Sequence, residues 1–481
     1  MEDKNMYDVV IIGAGIEGCF IAHQLSGYQL STAVFDQESD VANEASMANS
    51  AIIHAGEDPE DGTLKAKMNV RGNRMYEQIA KELSFAYQKT SAYIAAVGPE
   101  EEQTLLTLKK RAESREIPAE LLDGDSARRF EPNLSAGVTK VLELPTTGII
   151  YPWEAAIALA EESSLNGTDF FLSEEVTGVR RIAGGYKVTS SRRTVQTKLV
   201  VDAAGAYADR IAAMAGSQMD YSIHPRRGQY YVLDRLAEPL VSRVIYPVPT
   251  ALGKGVLVLP TVHGNILVGP NSEVLEDPTN NETTAEGLAY VKKQASKTVS
   301  NIPFNQVIRT FSGLRPSGST HDFVICEDPL LTGFIHVSCI ESPGIASAPA
   351  IGEYVAEELI LPKLSPKRRE QYVHRIPIPE LKKLPVAERN RMIQENPAYG
   401  RMICRCEQIS EGEILDAIRR PLGAKTIKAV KKRVRPGMGR CQGGFCEPRV
   451  TEILARELGI DPAQVKYDSD RSDMFFGHTK S

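Results

Sequence analysis

Short β-branched runs alternate along this chain with stretches of helical periodicity, the pattern of strands buried on both faces with helices laid across them. The first run, Val9-Val10-Ile11-Ile12, reads as a buried parallel strand. It passes directly into Gly13-Ala14-Gly15-Ile16-Glu17-Gly18 and a helical stretch, and a second apolar run, residues 32–35, ends at Asp36. Strand, glycine-rich turn, helix, strand and closing acid, in that order, make the layout of a dinucleotide-binding βαβ unit. In such a unit Gly13 permits the tight turn, Gly15 lets a pyrophosphate approach the backbone, and Gly18 lets the helix lie close on the sheet. Asp36 stands where a ribose hydroxyl needs an acceptor. The free N–H groups of the helix then face the phosphates.

Beyond Asp36 a run of small residues, 44–56, ends in an apolar strand that carries His54; small side chains let backbone lie against a flat ligand. A lone histidine beside two isoleucines reads first as a hydrogen-bonded core residue. Residues 64–83 predict an amphipathic helix, and residues 85–108 predict strands and turns. A helix is expected over 154–164, then strands over 169–179 and 185–190. Residues 199–202 form another buried strand, followed by the small turn Ala203-Ala204-Gly205, which returns the chain to the nucleotide-binding layer.

From 224 to 308 the pattern becomes strands separated by turns, as in 228–233, 255–259 and 265–268, which predicts an antiparallel sheet. Strand and loop character return over 311–325 and 333–337, and Ser342-Pro343-Gly344-Ile345 opens a helix reaching about residue 359. Its N-terminus suits an electron-rich part of a cofactor. Residues 361–395, rich in Pro, Lys and Arg, read as a linker with solvated charge. The expected division is an α/β, doubly wound, discontinuous nucleotide-binding domain of Rossmann type over 1–84, 146–217 and 310–360. An antiparallel substrate domain is inserted over 85–145 and 218–309. A linker over 361–398 precedes a small helical domain and tail, 399–481.

Composition narrows this further. With 481 residues the chain has room for about three domains. Hydrophobic residues at 42% and charged residues at 25% are ordinary for a globular enzyme, and a net charge of −6 argues against a nucleic-acid partner. The first strand starts almost at once, with no signal-like segment and no apolar run long enough to span a bilayer, so a cytoplasmic location is expected. Peripheral contact with the inner face of the membrane is compatible with it.

Of seven cysteines, Cys19, Cys326 and Cys339 are scattered singly and read as core thiols. The other four, Cys404, Cys406, Cys441 and Cys446, form C-x-C-x34-C-x4-C. Paired thiolates at that spacing suit a tetrahedral zinc or an iron–sulfur cluster, and spacing does not choose between them. Helical stretches at 410–419 and 448–458 pack this segment. Lys425, Lys428, Lys431, Lys432 and Arg433 read as a solvated basic face.

The stretches VVIIGAGIEG, ANSAIIHAG, LKAKMNVRGN, VVDAAGAYAD, PRRGQYYVLD, TVHGNILVGP, FSGLRPS and IESPGIASAPAIG, spread over most of residues 6–360, resemble the D-amino-acid-oxidase-like FAD-dependent oxidoreductases. Within them the chain is similar to the subgroup of glycerol-3-phosphate dehydrogenases and oxidases and L-2-hydroxyglutarate dehydrogenases. The resemblance implies bound FAD and a substrate C–H bond lying over it, with hydride passing to flavin N5. It turns His54 from core residue to expected base and makes Arg315 the partner of a substrate carboxylate or phosphate. Lys254, otherwise a turn lysine, and Ser342 fall at positions that line the active site. Flavin contacts are implied for Gly13, Gly15, Gly18, Asp36, Ser46, Asn49, Ser50, Val176, Ala204, Gly205, Gly313, Gly344 and Ile345.

CRCEQIS and RPGMGRCQGGFC resemble the [2Fe–2S] domain of bacterioferritin-associated ferredoxins, which makes Cys404, Cys406, Cys441 and Cys446 the expected cluster ligands and favours iron over zinc. A flavin takes electrons in pairs and such a cluster passes them singly. The implied activity is therefore a dehydrogenase oxidising sn-glycerol 3-phosphate to dihydroxyacetone phosphate, electrons leaving through the cluster to an acceptor protein or quinone, with companion subunits compatible. L-2-hydroxyglutarate or another 2-hydroxy acid is the alternative substrate. An electron-transfer or scaffold subunit with an idle pocket is the alternative of another class.

Overall fold

In the computed structural model, which describes residues 6–250, 253–275, 277, 279–475 and 477, the first predicted strand is central to the main sheet. Met6–Ile12 runs parallel to Thr32–Phe35 on one side and to Thr194–Asp202 on the other. Thr168–Phe171 extends the parallel layer beyond Thr32–Phe35, and Phe334–Ser338 pairs parallel to the end of Thr194–Asp202. Val176–Ile182 and Gly185–Ser190 add an antiparallel hairpin at the edge. Val9, Val10 and Ile11 have no exposed surface, as strands covered on both faces require.

Helices Ile16–Ser26, Leu64–Leu83, Pro152–Leu165 and Gly344–Tyr354 contribute to one core cluster, with Val9, Ile11 and Val34 from the sheet. Helix Ala208–Ala215 and the edge hairpin enclose a second, with Tyr7, Val10 and Ile12.

The Leu64–Leu83 helix forms over the span its periodicity predicts. The Thr63 side chain caps it by accepting from Ala66 N, and Ser84 ends it in the left-handed conformation. Its buried stripe includes Asn69 and Asn73, whose amides donate to the main-chain oxygen of His54 at 2.8 and 3.0 Å. A polar pair within an apolar stripe thus anchors the His54 strand.

The second sheet has nine strands, with Arg226–Leu233, Ile266–Gly269, Leu257–Pro260, Val244–Pro247 and Ala92–Ala96 consecutive across it. It is antiparallel except where Val244–Pro247 meets Ala92–Ala96. Val307–Arg315 pairs along its length with Arg226–Leu233, so hydrogen bonding carries this sheet past the boundary expected at residue 310. A three-stranded sheet of Ile52–Ile53, Gly148–Ile150 and Tyr87–Lys89 lies between the two.

Four expectations change. Residues 99–114 are a helix, Pro99–Ser114, rather than strand and turn: proline in its first turn and Glu100, Glu101 and Glu102 beside the helix N-terminus favour it. The expected strand over 169–179 is two strands, Thr168–Phe171 and Val176–Ile182, separated around Ser173 at φ 54°.

The segment after residue 361 is not a solvated spacer. Arg369 N donates to Gly27 O, Val373 N to Asn166 Oδ1, and Arg375 pairs with Glu161 at 2.9 Å. Glu161 and Glu162 are buried carboxylates on the Pro152–Leu165 helix, and the basic strap supplies their partners. Residues Val386–Glu395 within it are helical.

The basic face is solvated only in part: Lys425 is exposed, whereas Lys431 and Lys432 are buried. Lys432 is 1% exposed and lies 2.9 Å from Asp40, while Arg433 contacts the same carboxylate with both terminal nitrogens at 2.7 and 2.9 Å. Lys432 Nζ also donates to Val41 O and Asn43 Oδ1. The C-terminal helices Glu411–Arg419, Ile427–Val434 and Glu447–Leu458 enclose their own core of Ile414, Val430, Val450 and Leu454. Through Lys432 and Arg433 that small domain docks on the loop after Asp36. No helix among the described residues is long and apolar enough to cross a membrane.

Candidate active site and metal centre

At the glycine-rich turn two of the three glycines are required by the protein itself. Gly13 has φ +108° and a Cβ there would lie 2.3 Å from Ala203 O; one on Gly18 would lie 2.0 Å from Gly13 O. Gly15 instead faces open space, with only Ser46 Oγ at 3.3 Å from its hypothetical Cβ. The Asp36 carboxylate turns back on the turn: Oδ2 accepts from Ala14 N at 2.6 Å and Oδ1 from Glu38 N at 2.8 Å. Burial raises its pKa to about 6 even against those bonds. Each oxygen keeps one acceptor site for a ribose hydroxyl.

A cavity of about 630 Å³ runs from this turn to the second sheet. Its wall carries Gly15, Ser46, Asn49, Ser50, Gly205, Gly313, Gly344 and Ile345, together with His54, Lys254, Arg315 and Ser342. The structure thus brings twelve expected residues onto one surface. Gly13, Gly18, Asp36 and Ala204 are not among the lining residues, and Val176 packs in the core with Tyr7 and Val10.

Ser46 Oγ accepts from Ile16 N at 2.9 Å, at the helix N-terminus. Asn49 braces its loop by donating to Ala45 O and Ser46 O and accepting from Ala51 N. Glu17 lines the cavity with a buried Oε2 that has no hydrogen-bond partner among the described residues, and burial lifts its pKa well above the carboxylate range. An elongated cleft of small residues, with a helix N-terminus at one end and an orphaned polar group beside it, fits FAD.

His54 sits deeper. Burial, and then the charge of Lys254, push its pKa well below the usual histidine value, so the ring is neutral at neutral pH. Nδ1 is 2.9 Å from Tyr246 Oη and 3.4 Å from Lys254 Nζ, and Lys254 is 3.5 Å from Asp58 Oδ2. Burial, then Glu57 and Asp58, raise the Tyr246 pKa and keep its hydroxyl protonated. Tyr246 either donates to a bare Nδ1 or accepts from a protonated one; the second tautomer leaves Nε2 bare to take a proton.

Arg315 passes over Gly228, where a Cβ would lie 2.3 Å from Nη2, and donates to Asn271 O at 2.9 Å and Ser272 Oγ at 3.4 Å. Sequence reasoning did not single out Tyr246, Glu17 or Arg226. Tyr246 lies in a plain apolar strand with no local signal. Adjacent arginines at 226 and 227 on a strand do carry one, because neighbours on a strand face opposite sides.

The four clustered cysteines meet in pairs. Cys406 Sγ is 3.7 Å from Cys441 Sγ, and a hydrogen bond from Cys446 holds Cys404 toward its thiolate form. Among the described residues no three His, Cys, Asp or Glu side chains gather as a ready-made metal site. Two thiolates on one tetrahedral metal with bonds of about 2.3 Å lie about 3.8 Å apart.

A family model for FAD dependent oxidoreductases matches residues 8–358. The chain belongs to that family. A second model, for the BFD-like [2Fe-2S] binding domain, matches residues 402–456, so this FAD-dependent oxidoreductase carries an iron–sulfur domain behind its flavin domain. It is 45% identical over 478 residues, 99% of each chain, to a glycerol 3-phosphate dehydrogenase of Caloramator mitchellensis. It is 32% identical to a glycerol 3-phosphate oxidase of Mycoplasma pneumoniae, over 72% of this chain and 92% of that one. Among solved structures, L-alpha-glycerophosphate oxidase from Mycoplasma pneumoniae with FAD bound superposes with a TM-score of 0.74 at 29% identity, covering 78% of this chain and 99% of that one. The FAD complex of the Bacillus halodurans glycerol-3-phosphate dehydrogenase, at 15% identity, shares the fold with a TM-score of 0.69 over 96% of this chain and 92% of its own.

Proposed function

We propose that this oxidoreductase oxidises sn-glycerol 3-phosphate to dihydroxyacetone phosphate. The observation that carries the reading is one cavity shared by a neutral, buried histidine and an anion-binding arginine. The full-length similarity to a glycerol 3-phosphate dehydrogenase supports the choice of substrate.

In this reading the substrate phosphate binds Arg315, which brings the C2 hydroxyl to His54. Nε2 takes the hydroxyl proton while C2 gives up its hydrogen with the electron pair, leaving the ketone. FAD, when bound, supplies the acceptor of that pair, and the [2Fe–2S] group supplies one-electron transfer onward to an acceptor protein or quinone. Tyr246 orients the ring by accepting from Nδ1–H, Lys254 stands beside it, and Ser342 closes the cavity beside the flavin. Gly15, Ser46, Asn49, Ser50, Gly205, Gly313, Gly344 and Ile345 hold FAD; Cys404, Cys406, Cys441 and Cys446 hold the cluster. The domain division set out from the sequence accompanies this reading, with the second sheet carried to Arg315 and residues 369–375 packed on the flavin domain, as does a cytoplasmic location, at the inner membrane face if the acceptor is a quinone.

A 2-hydroxy acid is the second reading, because Arg315 holds a carboxylate as well as a phosphate and an L-2-hydroxyglutarate dehydrogenase of Caenorhabditis elegans is 35% identical over 56% of this chain. Anaerobic stopped-flow mixing separates them. Bleaching of the flavin by glycerol 3-phosphate and not by L-2-hydroxyglutarate is expected; the reverse result rejects the first reading.

A further inference from the structure

The strands Arg226–Leu233 and Val307–Arg315 are in register so that Arg226 stands directly opposite Arg315. Side chains paired in this way project from the same face with Cβ atoms about 5 Å apart, and like charges there repel. Both arginines line the cavity, together with Glu341 and Ser342. Arg315 gives one N–H of each terminal nitrogen to Asn271 O and Ser272 Oγ and keeps the second. Arg226 has a buried Nε without a hydrogen-bond partner among the described residues.

The carboxylate near Arg226 does not answer that need. Glu341 already accepts from Lys65 Nζ at 2.8 Å and Ser317 Oγ at 2.6 Å. The neighbouring Arg227 shows how this strand satisfies an arginine when its role is structural: Nε and Nη2 both reach Glu273 Oε2, and Nη1 reaches Asn280 Oδ1. Of two adjacent arginines, one is paired on its own face and the other lines the cavity with its Nε unpartnered among the described residues.

Two arginines rooted opposite each other on paired strands and lining one cavity wall bring two positive charges there, at a cost that a bound anion lowers. A carboxylate carries one charge and two oxygens, which a single fork engages together. A phosphomonoester carries close to two charges and three free oxygens, enough for two forks. We propose that Arg226 is a second anion-binding side chain, and that with Arg315 it forms a two-guanidinium site selecting a phosphorylated alcohol over a hydroxy acid. The inference rests on the reading of the cavity as a substrate site and specifies its specificity.

The test uses the full chain loaded with flavin and cluster, as wild type, Arg226→Met, Arg226→Gln and Arg226→Lys. Inorganic phosphate and acetate serve as probes, followed by perturbation of the flavin spectrum and by inhibition. Arg226→Met and Arg226→Gln are expected to weaken phosphate binding and raise KM for glycerol 3-phosphate by about 10- to 100-fold, the weight of one charge-assisted bidentate contact. Acetate binding should change by less than about threefold, and Arg226→Lys should recover part of the loss. Wild-type turnover of glycerol 3-phosphate with unaltered phosphate affinity in folded, flavin-loaded Arg226→Met and Arg226→Gln overturns the two-arginine site and leaves the proposed function standing. Phosphate binding that depends on Arg226 in a wild type that does not oxidise glycerol 3-phosphate supports the site and overturns the function.

Discussion

In the proposed reaction the chemistry turns on His54, and its surroundings make a pH prediction with a definite sign. Burial and the charge of Lys254 lower its pKa, so the proton-accepting form persists further into acid than an exposed histidine would allow. The rate of anaerobic flavin reduction by substrate should hold steady from pH 8 down through about 6.5 and fall only below that range. An acid limb centred at or above about 6.5 contradicts the assignment. His54→Gln should slow flavin reduction by about 10²- to 10⁴-fold while the flavin stays bound, the usual weight of a general base; a rate within about threefold of wild type would remove His54 from the role. His54 and Arg315 were brought to the site by the family resemblance of ANSAIIHAG and FSGLRPS, and both line the same cavity. Tyr246, at 2.9 Å from the same imidazole, was not legible, because nothing along the chain marks which tyrosine of an apolar strand will meet a histidine 192 residues away.

Among elements, those whose burial pattern matches their own period were readable: the Leu64–Leu83 helix occupies its predicted span, and Met6–Ile12 and Thr32–Phe35 pair as a βαβ unit must. Local signals misled where tertiary contacts decide the environment. A run of lysines and arginines looks solvated until a carboxylate is brought to it from elsewhere, and Asp40 comes from the far end of the chain to meet Lys432 and Arg433. The same applies to the strap over residues 361–398, whose Arg375 gives its guanidinium to Glu161 and its main-chain N–H to Glu162.

Asp40→Ala leaves two buried cations without their partner and should cost about 3–5 kcal/mol in urea denaturation of the loaded protein; a loss under about 1 kcal/mol contradicts the buried-clamp reading. Burial by itself would raise the Asp40 pKa, but Arg433 and Lys432 outweigh it and hold the carboxyl well below its ordinary range. The clamp's contribution is therefore complete above the ordinary carboxylate pKa of about 4 and disappears as pH falls through the lowered value. Stability between pH 5 and 8 should not vary on its account.

Across the whole molecule, the order of parts was visible from one end of the sequence to the other, since the glycine-rich unit and the cysteine motif are each local. How they sit together was not. The contacts joining them link residues nearly four hundred positions apart, as between Val41 and Lys432, and no periodicity reports such a distance. The resulting arrangement places a one-electron domain against the flavin domain of the same chain. Cys404→Ser should abolish the iron–sulfur absorption and leave the flavin fully reducible by substrate, while turnover with a one-electron acceptor falls at least about tenfold. Undiminished turnover would mean that the flavin discharges elsewhere.

The most direct measurement is a single anaerobic sample of the loaded chain, treated with sn-glycerol 3-phosphate and read by visible absorption and low-temperature EPR together. Bleached flavin bands accompanied by the signal of a reduced [2Fe–2S] cluster are the expected result. A flavin that stays oxidised, or one that bleaches while the cluster remains EPR-silent until dithionite is added, would contradict a chain that gathers electrons in pairs and hands them on singly.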